Sequence, residues 1–156
     1  MSHLGLQILY SIINDIPYAS AERCFAPWPD REKILRDKKL PLTSLERQIP
    51  LQNFDMIGFS LQYELSYTNM LNMLDLAGLP LHAADRTAQH PLVLAGGSGC
   101  YNPEPMAPFI DVFVIGEGEE VLLEIIATMR AAAHLDRQTQ LRHVAGITGC
   151  YVPRFY

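Results

Sequence analysis

The residues best equipped for chemistry in this chain stand directly after short apolar runs. Leu92-Val93-Leu94-Ala95 leads into Gly96-Gly97-Ser98-Gly99, and Val112-Phe113-Val114-Ile115 leads into Gly116-Glu117-Gly118. A third run, Asp55 to Leu61 (DMIGFSL), closes on Ser60 and Leu61. Glycine in such loops lets backbone approach a ligand closely, and its N–H groups then cradle an anion or the polar edge of a cofactor. The hydroxyls of Ser60 and Ser98 both donate and accept. Glu117 accepts from a ligand hydroxyl or amide. His3, ahead of the first helix, is a candidate metal ligand or cofactor contact. Each feature also has a plainer reading. Gly96 to Gly99 serves as a tight turn, Ser60 as a cap on the next segment, and Glu119 and Glu120 as acidic residues that favour a helix start.

Several chemistries do not fit. A nucleophile elbow, G-x-S-x-G, needs glycine where Cys100 stands. No Gly-Lys-Ser/Thr follows the glycines, so this is not a Walker loop, and the G-x-G-x-x-G pattern is absent too. A hydrolase built on Ser98 lacks a base in any familiar order. His82, His90, His134 and His143 show no ligand spacing. The cysteines, Cys24, Cys100 and Cys150, are three and widely spaced. That suits neither a disulfide framework nor a zinc or iron–sulfur motif. Trp28 and Tyr101 stand next to loops, where large aromatics pack against a flat ligand or fill core. Tyr63, Glu64 and Tyr67 follow Ser60 closely enough to shape the same cleft.

Positioning these residues falls to the elements around them. Apolar runs of four or five residues rich in Val and Ile read as strands buried on both faces of a parallel sheet. Ligands dock at the carboxyl ends of such strands. The pattern predicts a helix over Leu4 to Ile13, capped by Ser2 and stopped by Pro17. A short strand over Glu22 to Ala26 follows, then a charged helix over Arg31 to Lys38 capped by Asp30. Residues 40–53 read as a loop with a strand candidate near Leu42 to Leu45. Next come a strand over Asp55 to Leu61 and a helix over Tyr67 to Ala77 with Gly78 at its C-cap. A strand over Pro91 to Ala95, a helical turn over Pro105 to Phe109, a strand over Val112 to Ile115 and a helix over Glu119 to Ala133 complete the alternation. Residues 134–143 read as a solvated linker, and Val144 to Tyr156 as an edge strand or a lead-out.

Alternating strands and helices imply an α/β fold with right-handed crossovers. The expected architecture is a flavodoxin-like, Rossmann-type three-layer sandwich with a mostly parallel sheet. Its domain spans residues 1–133, followed by linker and lead-out over 134–156. No strand precedes the first helix. In a 2-1-3-4-5 order the missing strand is interior, and its loss leaves two unpaired edges. The expectation is a truncated piece, a strand supplied by tail or neighbour, or self-association through the sheet gap.

Bulk properties narrow the class. A chain of 156 residues with 49% hydrophobic residues is long enough to bury a core. Its net charge of −5, with no basic stripe, argues against nucleic acid as a partner. No apolar run reaches the ~18 residues that span a bilayer, so no membrane role is expected. Met1 to Ile13 lacks the marks of a signal peptide, so a cytoplasmic location is expected.

Longer strings carry more information than the glycine pairs. MSHLGLQILYSIIN, FAPWPDREKILR, DMIGFSLQYELSYTNMLNMLDLAGLPL, LVLAGGSGCYNPEPMAPFIDVFVIGEGEE and the closing YVPRFY resemble the amino-terminal part of a family of cobalamin-binding-domain radical SAM proteins. The resemblance covers nearly the whole chain. It implies a cobalamin (corrinoid) binding domain placed ahead of a radical SAM barrel in cis. Ser60, Gly96 and Gly97 then line the corrin or its nucleotide tail. Where cobalamin domains carry D-x-H-x-x-G, this chain has Ser2-His3-Leu4-Gly5, with one residue fewer between histidine and glycine and no aspartate two before. The family's opening strand falls before Met1, in agreement with the missing strand. The C-x-x-x-C-x-x-C signature is absent. The iron–sulfur cluster and S-adenosylmethionine therefore belong to the absent barrel, where methyl transfer or related radical chemistry is expected. The chain by itself is not expected to catalyse. The alternative is a non-catalytic interaction module of the same fold that has lost its corrinoid.

Overall fold

A computed structural model describes residues 4–156. Strand β1 (Met56–Ser60), β2 (Leu92–Gly96), β3 (Val112–Val114) and β4 (Cys150–Tyr151) form one sheet in the order β1-β2-β3-β4. β1, β2 and β3 are parallel, and β4 returns antiparallel along β3. Five α-helices accompany them: α1 (Leu4–Asn14), α2 (Pro29–Asp37), α3 (Tyr67–Leu76), α4 (Gly118–Ala131) and α5 (Arg137–Ala145). The architecture is mixed α/β with a mostly parallel sheet, as the alternation predicted. No described helix is long and apolar enough to cross a membrane.

The period-2 rule of a strand assigns its residues to opposite faces. Val93 and Ala95 of β2 and Phe113 of β3 join one core cluster with Met70, Met73 and Leu74 of α3, Leu35 of α2, and Leu42 and Leu51 of the loop between. Leu92, Leu94, Val112 and Val114 face the other way, onto Ile125 of α4 and Leu141 and Val144 of α5. Helices thus cover both faces. This explains why β2 and β3 read as unbroken apolar runs rather than as alternations.

The ends of α3 and α4 follow their sequence signals. Gly78 adopts φ +71°, and the Leu79 N–H reaches back to the Leu74 carbonyl at 3.0 Å. That is a Schellman closure, which requires a left-handed residue where Gly78 stands. α4 carries Glu119 and Glu120 in its first turn and Arg130 in its last, each favourable to the helix dipole.

Four expectations need correction. Glu22 to Ala26 is not a strand. The segment is tied to its neighbour by single contacts, the Leu45 N–H to the Arg23 carbonyl at 2.8 Å and the Arg23 N–H to the Glu46 carboxylate at 2.8 Å. Pro27 and Pro29 lie too close for a ladder to extend. α2 begins two residues earlier than expected. Pro29 takes its first position and Trp28, not Asp30, is the capping residue, because the fixed φ of proline suits a helix start. Residues 134–143 are not a solvated linker. They hold most of α5, whose Arg137, Leu141 and Val144 are buried. Asp136 caps α5 by accepting from the Thr139 N–H at 3.0 Å. Residues on both sides of position 133 therefore share one core cluster. Finally, the gap expected between two strands of this chain has only β1 beside it, at the end of the described sheet. With no strand at 22–26, nothing among the described residues pairs with the outer side of β1.

Candidate functional site at the strand tips

Three strand tips lie side by side. Ser60 pairs with Gly96, and Gly96 with Val114, all in parallel register. The loops that follow therefore leave from one edge, as the sequence required. Ser60, Gly97, Ser98, Gly116 and Glu117 are exposed there, and Gly96 is half-buried. His3 lies outside the described residues.

The glycines divide into two kinds. At Gly97, φ is +106° and a Cβ would sit 2.6 Å from the Leu61 carbonyl oxygen. A Cβ at Gly99 would sit 3.1 Å from the same oxygen. That oxygen accepts from the Gly99 N–H at 2.9 Å, and the Leu61 N–H donates to the Gly96 carbonyl at 2.8 Å. These two glycines let the β1 and β2 loops lock together. Gly58 and Gly116 are different, since a Cβ at either meets nothing within 4 Å. At Gly96 a Cβ finds only ordinary contact with Val114, at 3.7 Å. Gly58, Ser60 and Gly96 share the sheet face that carries Leu94 and Val114. They form a row of small residues leading up to the tips.

Side chains expected at the site take distinct parts. The Ser60 hydroxyl accepts from Gln62 Nε2 at 3.0 Å, and the Ser98 hydroxyl donates to the Gln62 carbonyl at 2.8 Å. Ser98 is thus engaged in holding the loop and has no base beside it. The Leu61 side chain belongs to the core, 2% exposed. Only its backbone faces the tips. Glu117 is the residue before α4 and makes no capping bond, so its carboxylate is free to accept. Gly118 packs near Leu9 of α1, whose Cδ2 would lie 3.7 Å from an added Cβ.

A polar support runs below. The Tyr67 hydroxyl donates to the Gly99 carbonyl at 2.9 Å. Burial, then Glu64, holds the Tyr67 hydroxyl above its ordinary pKa, which keeps it a neutral donor. Around the edge stand Tyr63, Leu65 and Tyr101, exposed by 57%, 83% and 72%.

Metal chemistry finds no donor set here. Among the described residues no group of three or more His, Cys, Asp and Glu is placed to hold an ion. Cys100 packs on one face of the sheet and Cys150 on the other, and Cys24 donates to the Thr43 carbonyl. Such scattered thiols do not fit an iron–sulfur cluster. Burial pushes all three up to about 11. At pH 7.5 they stay protonated and poor nucleophiles. Iodoacetamide should label native protein far more slowly than the urea-unfolded chain, as read by intact mass. Fast labelling of native protein would contradict the burial.

The polar feature that sequence reasoning missed lies at the opposite end of the sheet. Asp111 Oδ2 accepts from Arg86 Nη1 at 3.0 Å, Arg137 Nη2 at 2.8 Å and the Val93 N–H at 2.9 Å. Arg86 also donates to the carbonyls of Pro80, Leu81 and Phe109, and Arg137 to those of Thr87, His90 and Pro91. The one visible signal is an aspartate placed directly before a buried strand. This clasp fixes the loop before β2, the start of β3 and the start of α5, at the end of the sheet away from the strand tips.

No solved structure matches the chain. An uncharacterized protein of Methanocaldococcus jannaschii is 32% identical over 96 residues, 58% of this chain and 20% of that protein. The chain so spans about a fifth of the length of the curated relative it matches. Residues 5–153 match the family model described as radical SAM proteins, N-terminal. With that match running from α1 through β4, the chain belongs to the family of N-terminal regions of radical SAM proteins.

Proposed function

We propose that this region is a flavodoxin-like corrinoid-binding domain that serves a radical SAM barrel in the same polypeptide. One observation carries the reading. Three parallel strand tips stand in register above a row of residues too small to fill the space over them, Gly58, Ser60 and Gly96. A flat macrocycle with a slender tail needs such a groove. The residues present suit a ligand rich in neutral amides: Ser60 Oγ, the Glu117 carboxylate and the backbone of Gly116 offer hydrogen bonds without a cation. A bound corrinoid would supply its cobalt as a carrier of a methyl group or a radical. The chain's own residues would bind and orient it, with Ser60 and Gly96 beneath the tail and Glu117 at the rim. Tyr63, Leu65 and Tyr101 would exclude water once the barrel closes over them.

The test is a titration of the purified chain with hydroxocobalamin, followed by visible absorption and calorimetry. Saturable binding is expected. Gly96→Leu should weaken it at least tenfold, about 1.4 kcal/mol, while leaving the melting temperature near that of the parent. No uptake at high micromolar cobalamin would sink the reading. In that event the second reading stands, in which the domain docks to its barrel without a corrinoid. The exposed Tyr63, Leu65 and Tyr101 favour it.

A further inference from the structure

Gln62 stands at the exit of β1, just past Leu61, and is half-buried there. Its Nε2 donates to the Ser60 hydroxyl at 3.0 Å. The same atom lies 3.0 Å from the place a Cβ would take on Gly97. The carboxamide therefore spans the crevice between the exits of β1 and β2. It covers the hydroxyl that a ligand would use and stands against the glycine beside it. A hydroxyl both donates and accepts, so either end of a carboxamide can bond it. The place Gln62 fills is one that fits a neutral primary amide.

The main chain at this point is anchored and the side chain is not. The Leu61 carbonyl accepts from the Gly99 N–H at 2.9 Å. The Gln62 carbonyl accepts from the Ser98 hydroxyl at 2.8 Å, and the Tyr63 carbonyl from the Ser66 hydroxyl at 2.6 Å. With three successive carbonyls held, the loop does not swing as a body. The carboxamide is held among the described residues by one neutral hydrogen bond, the weaker class of such bonds. Rotation about its own χ bonds carries it away without disturbing an anchor, and such rotation is far faster than a loop movement.

We propose that Gln62 gates the strand-tip groove. In the ligand-free chain its carboxamide occupies the position that an amide of the ligand takes in the loaded one, on Ser60 and against Gly97. Binding requires the side chain to rotate out, and the open fraction then scales the apparent affinity. The gate also selects. Residues 61–66, 96–100 and 115–118 contain Glu64 and Glu117 but no lysine or arginine, so a neutral amide displaces Gln62 more readily than an anion does. The ligand class rests on the corrinoid reading; the gate itself is read from Gln62, Ser60 and Gly97.

Titration of Gln62→Ala with hydroxocobalamin, beside the parent, tests the gate. Truncation should tighten binding about threefold or more and leave the melting temperature near that of the parent, since the main-chain anchors stay. A side chain that only props the loop, or that holds the ligand, would weaken binding instead. Equal or weaker binding by Gln62→Ala overturns the proposal. If that variant melts early, Gln62→Asn, which keeps the amide and shortens its reach, is judged by the same criterion. If neither parent nor variant takes up cobalamin, the corrinoid reading has failed and the gate is judged without it. The probe is then acetamide, followed by NMR through the backbone amides of Ser60 and Gly97. Acetamide should shift these signals at lower concentration in Gln62→Ala than in the parent, and acetate should shift them far less. No response to acetamide in Gln62→Ala, an equal response in the parent, or an equal response to acetate overturns the gate.

Discussion

Asp111→Ala is expected to destabilise the domain by about 3–5 kcal/mol, the range for removing one partner of a buried ion pair. The side chains of Arg86 and Asp111 are 0% and 2% exposed, and that of Arg137 is 8% exposed. Burial already pulls the Arg86 pKa below its ordinary value, with Asp111 opposing the shift. Without the carboxylate two guanidinium groups remain among carbonyl oxygens with no negative charge beside them. The Val93 N–H at the start of β2 loses its acceptor as well. A domain of this size has about 5–15 kcal/mol in total, so the variant should be partly unfolded at 37 °C. Urea denaturation checks this: the midpoint should fall sharply with the slope nearly unchanged. Asp111→Asn, which keeps an acceptor and loses the charge, should fall between. A midpoint for Asp111→Ala within experimental error of the parent would show that the clasp contributes nothing net.

The second large effect is expected at Gly97. Gly97→Ala forces a side chain into φ +106° and sets its Cβ 2.6 Å from the Leu61 carbonyl oxygen. The backbone conformation alone costs about 1–3 kcal/mol, and the collision with backbone adds to it because neither side can move freely. Gly116→Ala provides the control. Its φ is +113°, yet its Cβ meets nothing within 4 Å. It should carry the conformational cost without the collision. Thermal melting should therefore rank the parent first, Gly116→Ala next and Gly97→Ala last. Cobalamin uptake by Gly97→Ala should be lost together with the β1–β2 loop contact. Equal melting temperatures for the two variants would refute the assignment of Gly97 to loop locking. Loss of binding at Gly97 thus reports on the fold, whereas loss at Gly96 reports on the groove.

The site edge was legible because its signals are local. Four apolar residues followed by glycine announce a buried strand and its exit, and three such runs in one α/β chain must place their exits together. The details that escaped depend on distant pairs. α5 falls where residues 134–143 read as a solvated linker, a polar stretch with two arginines. Yet Arg137 is buried against a carboxylate 26 residues away in sequence, and no pattern in either segment announces the partner. Asp136 with Thr139 three residues on is the local signal of a helix start in this segment. Glu22 to Ala26 has strand composition but no neighbour to pair with among the described residues, and propensity alone does not make a strand. Gly97 looked like a ligand-facing glycine. Only the position of Leu61 shows that its first duty is to another loop.

The β4 side of the sheet bears on how a neighbouring molecule can meet the fold. β4 is two residues long, runs against the direction of β3, and is followed by Pro153. Its Tyr151 hydroxyl is tied to Glu104 at 2.6 Å. So short a strand, ending at a proline, is a poor template. A neighbour that meets this margin does so through side chains and not by extending the sheet.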